Sequence, residues 1–379
     1  MPYLDHAAST PLLPEATEVM LASMEGDFGN PSSVHAYGRR ARQVVEDARE
    51  KVAAAMGALP TEITFTGGGT EADNLALKGP FDLFSGRHVV VSAIEHRAVL
   101  DTAKWLELQG ATASVVSVGP DGIVDPREIA AAVTSSTVVV SVMAVNNEIG
   151  TIQPITEIVA AVKSANPSTL VHTDAVQALG NLPVDVNLWG VDLASFAAHK
   201  LGGPKGVGAL FVRSGLRLAP LIHGGGHERG LRSGTSNVAG IAGFGVAAEI
   251  AAKEVHAKSE ALIALRTQLL DGIRRAVPDA SVNGDLTNRI PGNLNISIPG
   301  AGGETLLMLL DQAGIACSSG SACASGALDP SHVLLAIGID RALAAGSLRL
   351  SMGRATTSDD VAAVLDVLPE IVGRARRAA

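Results

Sequence analysis

Short runs of β-branched and aliphatic residues alternate with amphipathic segments along the first two thirds of the chain. Glycine, proline or polar residues bound each run, as is typical of buried strands. The predicted strands cover residues 62–68, 87–93, 137–145, 169–175, 193–199 and 208–213. Helical spacing of apolar residues lies between several of them, at residues 98–108, 127–133 and 156–164. This alternation predicts an α/β fold, with a large domain built on a mostly parallel sheet covered by helices.

The pattern changes after Gly225. A long helical signal is followed by strand-like, helical and strand-like segments, at residues 238–276, 292–299, 303–314 and 346–353. This order predicts a smaller α+β domain. We expect the large domain to cover residues 13–255, and the small domain to combine residues 1–12 with residues 256–379.

Composition and charge narrow the function classes. The chain of 379 residues is 47% hydrophobic but only 3% aromatic, which favours aliphatic packing of helices on a sheet. A formal net charge of -9 argues against direct binding of nucleic acid. No apolar run in the sequence approaches the length of about 20 residues that a membrane span needs. The start of the sequence lacks the features of a signal peptide. We therefore expect a cytoplasmic enzyme or binding protein that does not bind a membrane.

A glycine-rich motif, "TGGGTEADN" at residues 66–74, follows the first predicted strand. Free backbone N–H groups at the start of a helix attract phosphate, and Thr70 adds a hydroxyl group. The motif lacks the ending of a nucleotide P-loop and the spacing of a dinucleotide fingerprint. By itself it fits a phosphate site and an ordinary strand-to-helix turn equally well.

Three polar residues follow other predicted strands. Asp174, Lys200 and His96 lie at or just beyond strand ends, where the active sites of open α/β sheets are found. Pyridoxal phosphate needs an amine for its Schiff base, an acid at its pyridine nitrogen, a phosphate site and a partner that stacks on its ring. Taken singly, Lys200 is typical of a surface lysine and His96 of a helix-cap or core histidine. Together with the glycine-rich motif, they favour a pyridoxal phosphate site.

A series of motifs carries a more specific signal. In chain order they are "YLDHAAST", "GNPSSVH", "TGGGTEADN", "EHRAVLD", "VNNEIG", "HTDAVQ", "HKLGGPKG", "GGGHERGLRSGT", "CSSGSACASG" and "SLRLSMG". From Tyr3 to about Gly353 the chain resembles the cysteine desulfurases, which are fold-type-I pyridoxal phosphate enzymes of the class V aminotransferase group. The resemblance implies that fold, the cofactor pyridoxal 5'-phosphate and the conversion of L-cysteine to L-alanine.

The resemblance also implies cofactor roles. Lys200 would bind the cofactor covalently and move the substrate proton, Asp174 would pair with the pyridine nitrogen, and His96 would stack on the ring and serve as general base. Contacts to the phenolic oxygen side are implied for Asn147 and Gln177. Contacts to the phosphate are implied for Thr70, the backbone at Gly69, and His199.

A substrate site and a dimer follow from the same resemblance. Arg349 corresponds to the arginine that binds the substrate carboxylate, with Asn147 assisting, and a planar guanidinium suits that bidentate task. Thr235 corresponds to a residue that reaches the phosphate of the neighbouring subunit, which implies a homodimer. One position departs from the family pattern, because Ala197 stands where many relatives have a serine that donates to the phosphate.

Both cysteines of the chain, Cys317 and Cys323, lie in one region rich in glycine and serine. The family pattern makes Cys323 the nucleophile that takes the sulfur atom as a persulfide. The implied acceptor is a protein such as an iron–sulfur scaffold or a tRNA-thiolation protein. Cys317 fits a small core residue best, with a sulfur relay or resolving thiol as the alternative.

Other interpretations stay open. A selenocysteine lyase, another class V lyase and a plain aminotransferase would share the lysine and the aspartate. A scaffold protein without catalysis is the rival from a different class. His223, His227 and Glu228 lie in a glycine-rich loop, where no helix fixes metal geometry, and we predict no metal site there.

Overall fold

The computed structural model of the chain describes residues 1–319 and 330–378. The helices are α1 (Pro14–Gly26), α2 (Ala36–Ala55), α3 (Gly69–Phe81), α4 (Arg97–Leu108), α5 (Pro126–Ala132), α6 (Ile155–Ala165), α7 (Val186–Trp189), α8 (Val238–Ala276), α9 (Gly303–Gln312), α10 (His332–Ala336), α11 (Arg341–Ala345) and α12 (Ser358–Ala378). The strands are β1 (Ile63–Thr66), β2 (His88–Ser92), β3 (Thr112–Val116), β4 (Thr137–Ser141), β5 (Leu170–Asp174), β6 (Leu193–Ala197), β7 (Gly208–Val212), β8 (Ser281–Val282), β9 (Asn293–Ser297) and β10 (Ser347–Ser351).

Seven strands form one sheet in the order β1-β7-β6-β5-β4-β2-β3. The pairs β2-β3, β2-β4, β4-β5 and β5-β6 are parallel. Strand β7 runs antiparallel to both of its neighbours, β1 and β6. The prediction of a mostly parallel sheet is therefore confirmed, and every strand of this sheet except β7 ends at the same edge.

Both faces of this sheet are buried, which explains the uninterrupted apolar runs in its strands. On β2, Val89 and Val91 belong to a cluster with residues of α3 and α4. Val90, between them, belongs to a second cluster with residues of α2, α6 and α8. We call these two clusters together the large core.

Strand β3 was not predicted from the sequence. It lies at the edge of the sheet, and of its five residues only Val116 is buried. Because only one of its five side chains needs to be apolar, the segment carries no continuous apolar run.

A second core surrounds the antiparallel sheet β10-β9-β8. This small core includes residues of α9, α12 and the C-terminal part of α8, and also Leu4. The N-terminal segment joins it through the bridges Tyr3–Ala316 and Asp5–Ser351. The predicted boundary at residue 255 stays a prediction, because α8 runs for 39 residues from the large core into the small core.

No helix in the described part of the chain is both long enough and apolar enough to cross a bilayer.

Candidate active site

The carboxyl edge of the large sheet carries most of the predicted site residues. Asp174 is the last residue of β5, and Lys200 ends the 3₁₀ turn that follows β6. His96 follows β2 and is the N-cap of α4, where its Nδ1 accepts a hydrogen bond from the N–H of Ala98 at 3.1 Å. The helix-cap interpretation of His96 is thus correct, and its proposed stacking on a cofactor ring stays a prediction.

A cleft next to this edge is lined by the glycine-rich motif. Its walls include Gly68, Gly69, Thr70, His199 and Lys205. Gly69 begins α3, so the first N–H groups of that helix face an anion-binding position.

Neighbouring backbone explains the glycines of this cleft. Gly68 has a φ of 151°, which only glycine adopts without strain. A side-chain carbon on Gly208 of β7 would lie 2.6 Å from the carbonyl carbon of Gly68, so β7 passes too close for any larger residue. One N–H of the motif is already used, since Gly67 donates to Glu71 at 2.7 Å.

Lys200 and Gln177 meet at the N-terminal segment. Lys200 Nζ donates to the carbonyl oxygens of Ala7 at 2.7 Å and Ala8 at 2.8 Å, and Gln177 Nε2 donates to Ala7 at 2.9 Å. The segment "YLDHAAST" therefore closes one side of the candidate site. Burial lowers the pKa of the neighbouring His199 to about 4, helped by the charges of Lys200 and Lys205, so its imidazole is neutral at neutral pH.

Asp174 lies between opposing electrostatic influences. Burial raises the pKa of its carboxyl group, whereas the charges of His96 and Lys200 and a hydrogen bond from the N–H of Val176 lower it. That bond measures 2.9 Å. His96 and Lys200 thus both influence the carboxyl group of Asp174.

Arg349 brings the small core to the same edge. Its side chain, on β10, is only 2% exposed, and one guanidinium nitrogen donates to the carbonyl oxygen of Asn147 at 3.0 Å. Another nitrogen pairs with Asp5 at 2.9 Å. Asp5 thus neutralises the group predicted to bind a substrate carboxylate. Sequence reasoning missed Asp5, although it lies in the first motif, because its partner is distant in the chain.

The two cysteines differ in what the structure says of them. Cys323 lies outside the described residues. Cys317 is partly buried against the small core, and burial raises the pKa of its thiol to about 12. A thiol with so little thiolate is a poor nucleophile, which favours the core interpretation over a relay.

Thr235 is exposed and does not contribute to the lining of the glycine-rich cleft. Its role at the phosphate of a second subunit stays a prediction.

The loop that contains His223, His227 and Glu228 is anchored to the large core. Glu228 pairs with Arg49 at 2.7 Å and accepts from the N–H of Phe65 at 2.9 Å. In residues 1–319 and 330–378 no group of three or more histidine, cysteine, aspartate or glutamate residues could hold a metal ion.

Comparison with known proteins agrees with this geometry. Residues 2–364 match the family model of the class-V aminotransferases. Cysteine desulfurase IscS of Methanosarcina thermophila is 46% identical over 376 residues, which are 99% of this chain and 92% of that protein. The chain belongs to the cysteine desulfurases of the class-V aminotransferase family.

Two further similarities extend over the whole cysteine desulfurase chain. An IscS-like cysteine desulfurase of Mycobacterium tuberculosis is 46% identical over 389 residues, covering 100% of this chain and 98% of that protein. A solved structure described as a NifS-like protein superposes with a TM-score of 0.93 and 40% identity, over 98% of this chain and 99% of the other. The fold-type-I architecture is therefore confirmed.

Cysteine desulfurases of this family depend on pyridoxal phosphate. The site meets the needs of that group: a helix start and Lys205 at the glycine-rich cleft, an amine at Lys200, and a buried acid at Asp174. One feature of the fit is weaker, because Ala197, where the family resemblance implies a serine, supplies only a methyl group. That methyl carbon would be 3.6 Å from a side-chain carbon built on Gly69.

Proposed function

We propose that the protein is an L-cysteine desulfurase that forms L-alanine and a persulfide on Cys323. The observation that carries the proposal is the position of Asp174 at the end of β5 and of Lys200 in the turn just after β6, at the same edge of the sheet. A buried acid beside an amine, at the edge where parallel strands end, suits the pyridine nitrogen and the covalent attachment of pyridoxal phosphate. That cofactor, when bound, stores the electrons released at the substrate Cα.

Substrate binding uses the small core. The guanidinium of Arg349 is buried and oriented by Asn147 and Asp5. A substrate carboxylate would replace Asp5 as the anion that Arg349 binds, and the planar fork fixes its orientation. This contact selects amino acids with a free α-carboxylate.

Lys200 transfers the proton of the substrate Cα. Its amine lies against the carbonyl oxygens of Ala7 and Ala8, which hold it at the sheet edge. From there it takes the proton of the substrate Cα and returns it as alanine forms. His96, next to Asp174, is proposed as the base that takes the thiol proton of Cys323.

Sulfur transfer completes the reaction. The thiolate of Cys323 attacks the substrate sulfur atom, a new S–S bond forms, and the C–S bond breaks. The carbon released in this way gains a proton, so L-cysteine and an enzyme thiol become L-alanine and an enzyme persulfide. Iron–sulfur cluster assembly or another sulfur-transfer pathway would consume the persulfide through an acceptor protein.

We propose a cytoplasmic homodimer as the working form. The exposure of Thr235 supports it, since its proposed partner is a phosphate in the other subunit. Exposed apolar side chains on and after α1 offer an interface, among them Leu21, Met24 and Phe28, with Phe28 against the ring of Tyr37 at 5.1 Å between centroids.

The deciding experiment compares the wild type with Cys323→Ala. Each protein is loaded with pyridoxal phosphate and given L-cysteine and a reducing thiol, and alanine and sulfide are both quantified. We expect equal amounts from the wild type and neither from the variant, which should still show the absorption change of substrate binding. Full alanine release by Cys323→Ala would reject Cys323 as acceptor and favour a lyase that acts by direct elimination. Amino-group exchange with a keto acid would instead indicate an aminotransferase.

A further inference from the structure

A group of buried polar side chains lies next to Asp174. Its members are Asp73 of α3, Ser141 of β4, His172 of β5 and Ser195 of β6. Asp73 is 1% exposed and the other three are fully buried. None of them belongs to the proposed catalytic set, and buried polar groups are costly unless they are paired.

Hydrogen bonds join His172 to both serines, and Asp73 lies next to the ring. Nδ1 of His172 lies 2.8 Å from the hydroxyl of Ser141, and its Nε2 lies 2.9 Å from the hydroxyl of Ser195. Asp73 Oδ1 is 3.6 Å from the same Nε2 and, within the described chain, makes no hydrogen bond. Ser195 is also the register neighbour of Asp174 across β5 and β6. These contacts therefore link Asp73 to the position of Asp174.

Asp73 and Asp174 have different charged neighbours. The charged groups that face Asp73 are Asp174 and Glu95, while His172 is the neighbouring base. Burial raises the pKa of Asp73 well above its usual value, and Asp174 and Glu95 raise it further, against a hydrogen bond from Ser195. Asp174, by contrast, faces the amine of Lys200 and the imidazole of His96. Two like charges in one buried region are unfavourable, so one of the two carboxyl groups takes a proton.

The hydrogen bonds of His172 report which form Asp73 takes. Burial lowers the pKa of His172 to about 3, so the ring is neutral and carries one proton. If Asp73 is a neutral acid, it donates to Ser195, Ser195 donates to Nε2, and Nδ1–H donates to Ser141. If Asp73 is ionised, Ser195 donates to Asp73 instead, and the ring proton moves to Nε2. The position of one proton on His172 thus distinguishes the two states.

We propose that Asp73 is a positioning residue that remains a neutral carboxylic acid, so that the negative charge of the buried aspartate pair stays on Asp174. The inference rests on the proposed function only in giving Asp174 the pyridine nitrogen as its partner. Asp73 would act entirely through Asp174 and the buried side chains around His172, without contact to the substrate.

The first test is the ring proton of His172. Protein labelled with ¹⁵N-histidine is measured by NMR with and without pyridoxal phosphate, and His172→Gln assigns the signal. We expect a neutral ring with its proton on Nδ1 in both forms. A proton on Nε2 would overturn the proposal.

The second test uses the unfolding temperature of the apoprotein and of Asp73→Asn, which keeps the shape and stays neutral. Folded Asp73 retains a proton that the unfolded chain releases above its ordinary pKa of 3.8. Folding of the wild type therefore weakens relative to Asp73→Asn as the pH rises. We expect the variant to gain relative stability between about pH 4.5 and 7.5. An unchanged difference between the two proteins over this range would show that Asp73 is ionised in the folded state as well, and would reject the proposal.

The third test is the affinity for pyridoxal phosphate, with Asp174→Asn as the contrast. Asp73→Asn should change the dissociation constant by less than about threefold, whereas Asp174→Asn should raise it by about tenfold or more. Equal weakening by both substitutions would contradict the division of roles.

Alanine formation by the wild type is measured in parallel. Its absence together with the expected His172 proton would reject the proposed function, and leave the state of Asp73 standing.

Discussion

Single residues link parts of the molecule that are far apart in sequence. Arg349 lies on β10, yet it donates to the backbone of Asn147 and pairs with Asp5 near the N-terminus. Because its guanidinium is buried and held from two sides, little conformational entropy remains to be lost when an anion binds. Affinity for the substrate should therefore depend on the planar geometry of this side chain as well as on its charge.

Arg349→Lys tests that dependence. Lysine keeps the charge but loses the bidentate fork, so we expect KM for L-cysteine to rise about 10- to 100-fold, with the absorption of the bound cofactor unchanged. Steady-state kinetics on alanine formation supply the measurement. The matched control is Arg354→Lys, whose arginine pairs with Glu254 at 2.9 Å on the surface, and should behave as wild type. An unchanged KM in Arg349→Lys would argue against carboxylate binding at this residue.

Ala197→Ser tests the departure from the family pattern. The new hydroxyl group would face the start of α3, near Gly69, and could donate to a phosphate there. One hydrogen bond is worth about 1 kcal/mol, so the affinity of the apoprotein for pyridoxal phosphate should increase about fivefold. A titration followed by absorbance measures it. Ala197→Val adds bulk without a donor and should give no increase; equal tightening by both variants would refute a hydrogen-bond explanation.

At the scale of elements, α8 connects the two cores. Phe244 packs in the large core and Leu269 in the small core. Near its N-terminal end the helix crosses α2 at close range. A side-chain carbon on Gly245 would lie 2.8 Å from Cα of Ala48, so the missing side chain is what allows the two backbones to approach.

Gly245→Val should therefore force α2 and α8 apart. We expect the free energy of unfolding to fall by roughly 1–3 kcal/mol, as is usual for overpacked contacts, and the melting temperature of the apoprotein to fall with it. Ala257→Val, at an exposed position of the same helix, tests helix propensity alone and should cost less than about 0.7 kcal/mol. Equal losses would show that the crossing is not tightly packed.

On the scale of the whole molecule, we propose that two subunits together form the active site. Lys200 and the glycine-rich cleft come from one chain, whereas the exposed Thr235 is proposed to serve the other. A phosphate contact by a hydroxyl group is charge-assisted, and its loss should weaken pyridoxal phosphate binding about 10- to 100-fold.

Mixed dimers of Lys200→Ala and Thr235→Val subunits test this arrangement. In such a dimer, one of the two sites receives Lys200 from the Thr235→Val subunit and Thr235 from the Lys200→Ala subunit. That site contains both unchanged residues and is therefore intact. At limiting pyridoxal phosphate we expect about half of the wild-type alanine formation from purified mixed dimers, and almost none from either parent dimer. If Thr235 served its own subunit, the mixed dimers would remain as impaired as the parents.

Much of this molecule could be predicted from local patterns. Strands buried on both faces appear as apolar runs, and the motif order pointed to the cysteine desulfurases before any contact was known. Strand β3 was missed because its edge position leaves only Val116 fully buried. Asp73 was missed because it is buried far from any partner in the sequence. On its own helix it is an isolated acid, and only its neighbours on β5 and β6 give it a role.

The sequence by itself determined the alternation of strands and helices, the family and the residue types available for chemistry, since these depend on periodicity and motif order within short segments. Only the tertiary structure decided which of those residues meet. Asp5 and Arg349 are 344 positions apart, and Asp73 reaches His172 only because α3 packs on the sheet. Such contacts depend on how whole elements pack, and no local pattern of hydrophobic and polar residues encodes that geometry.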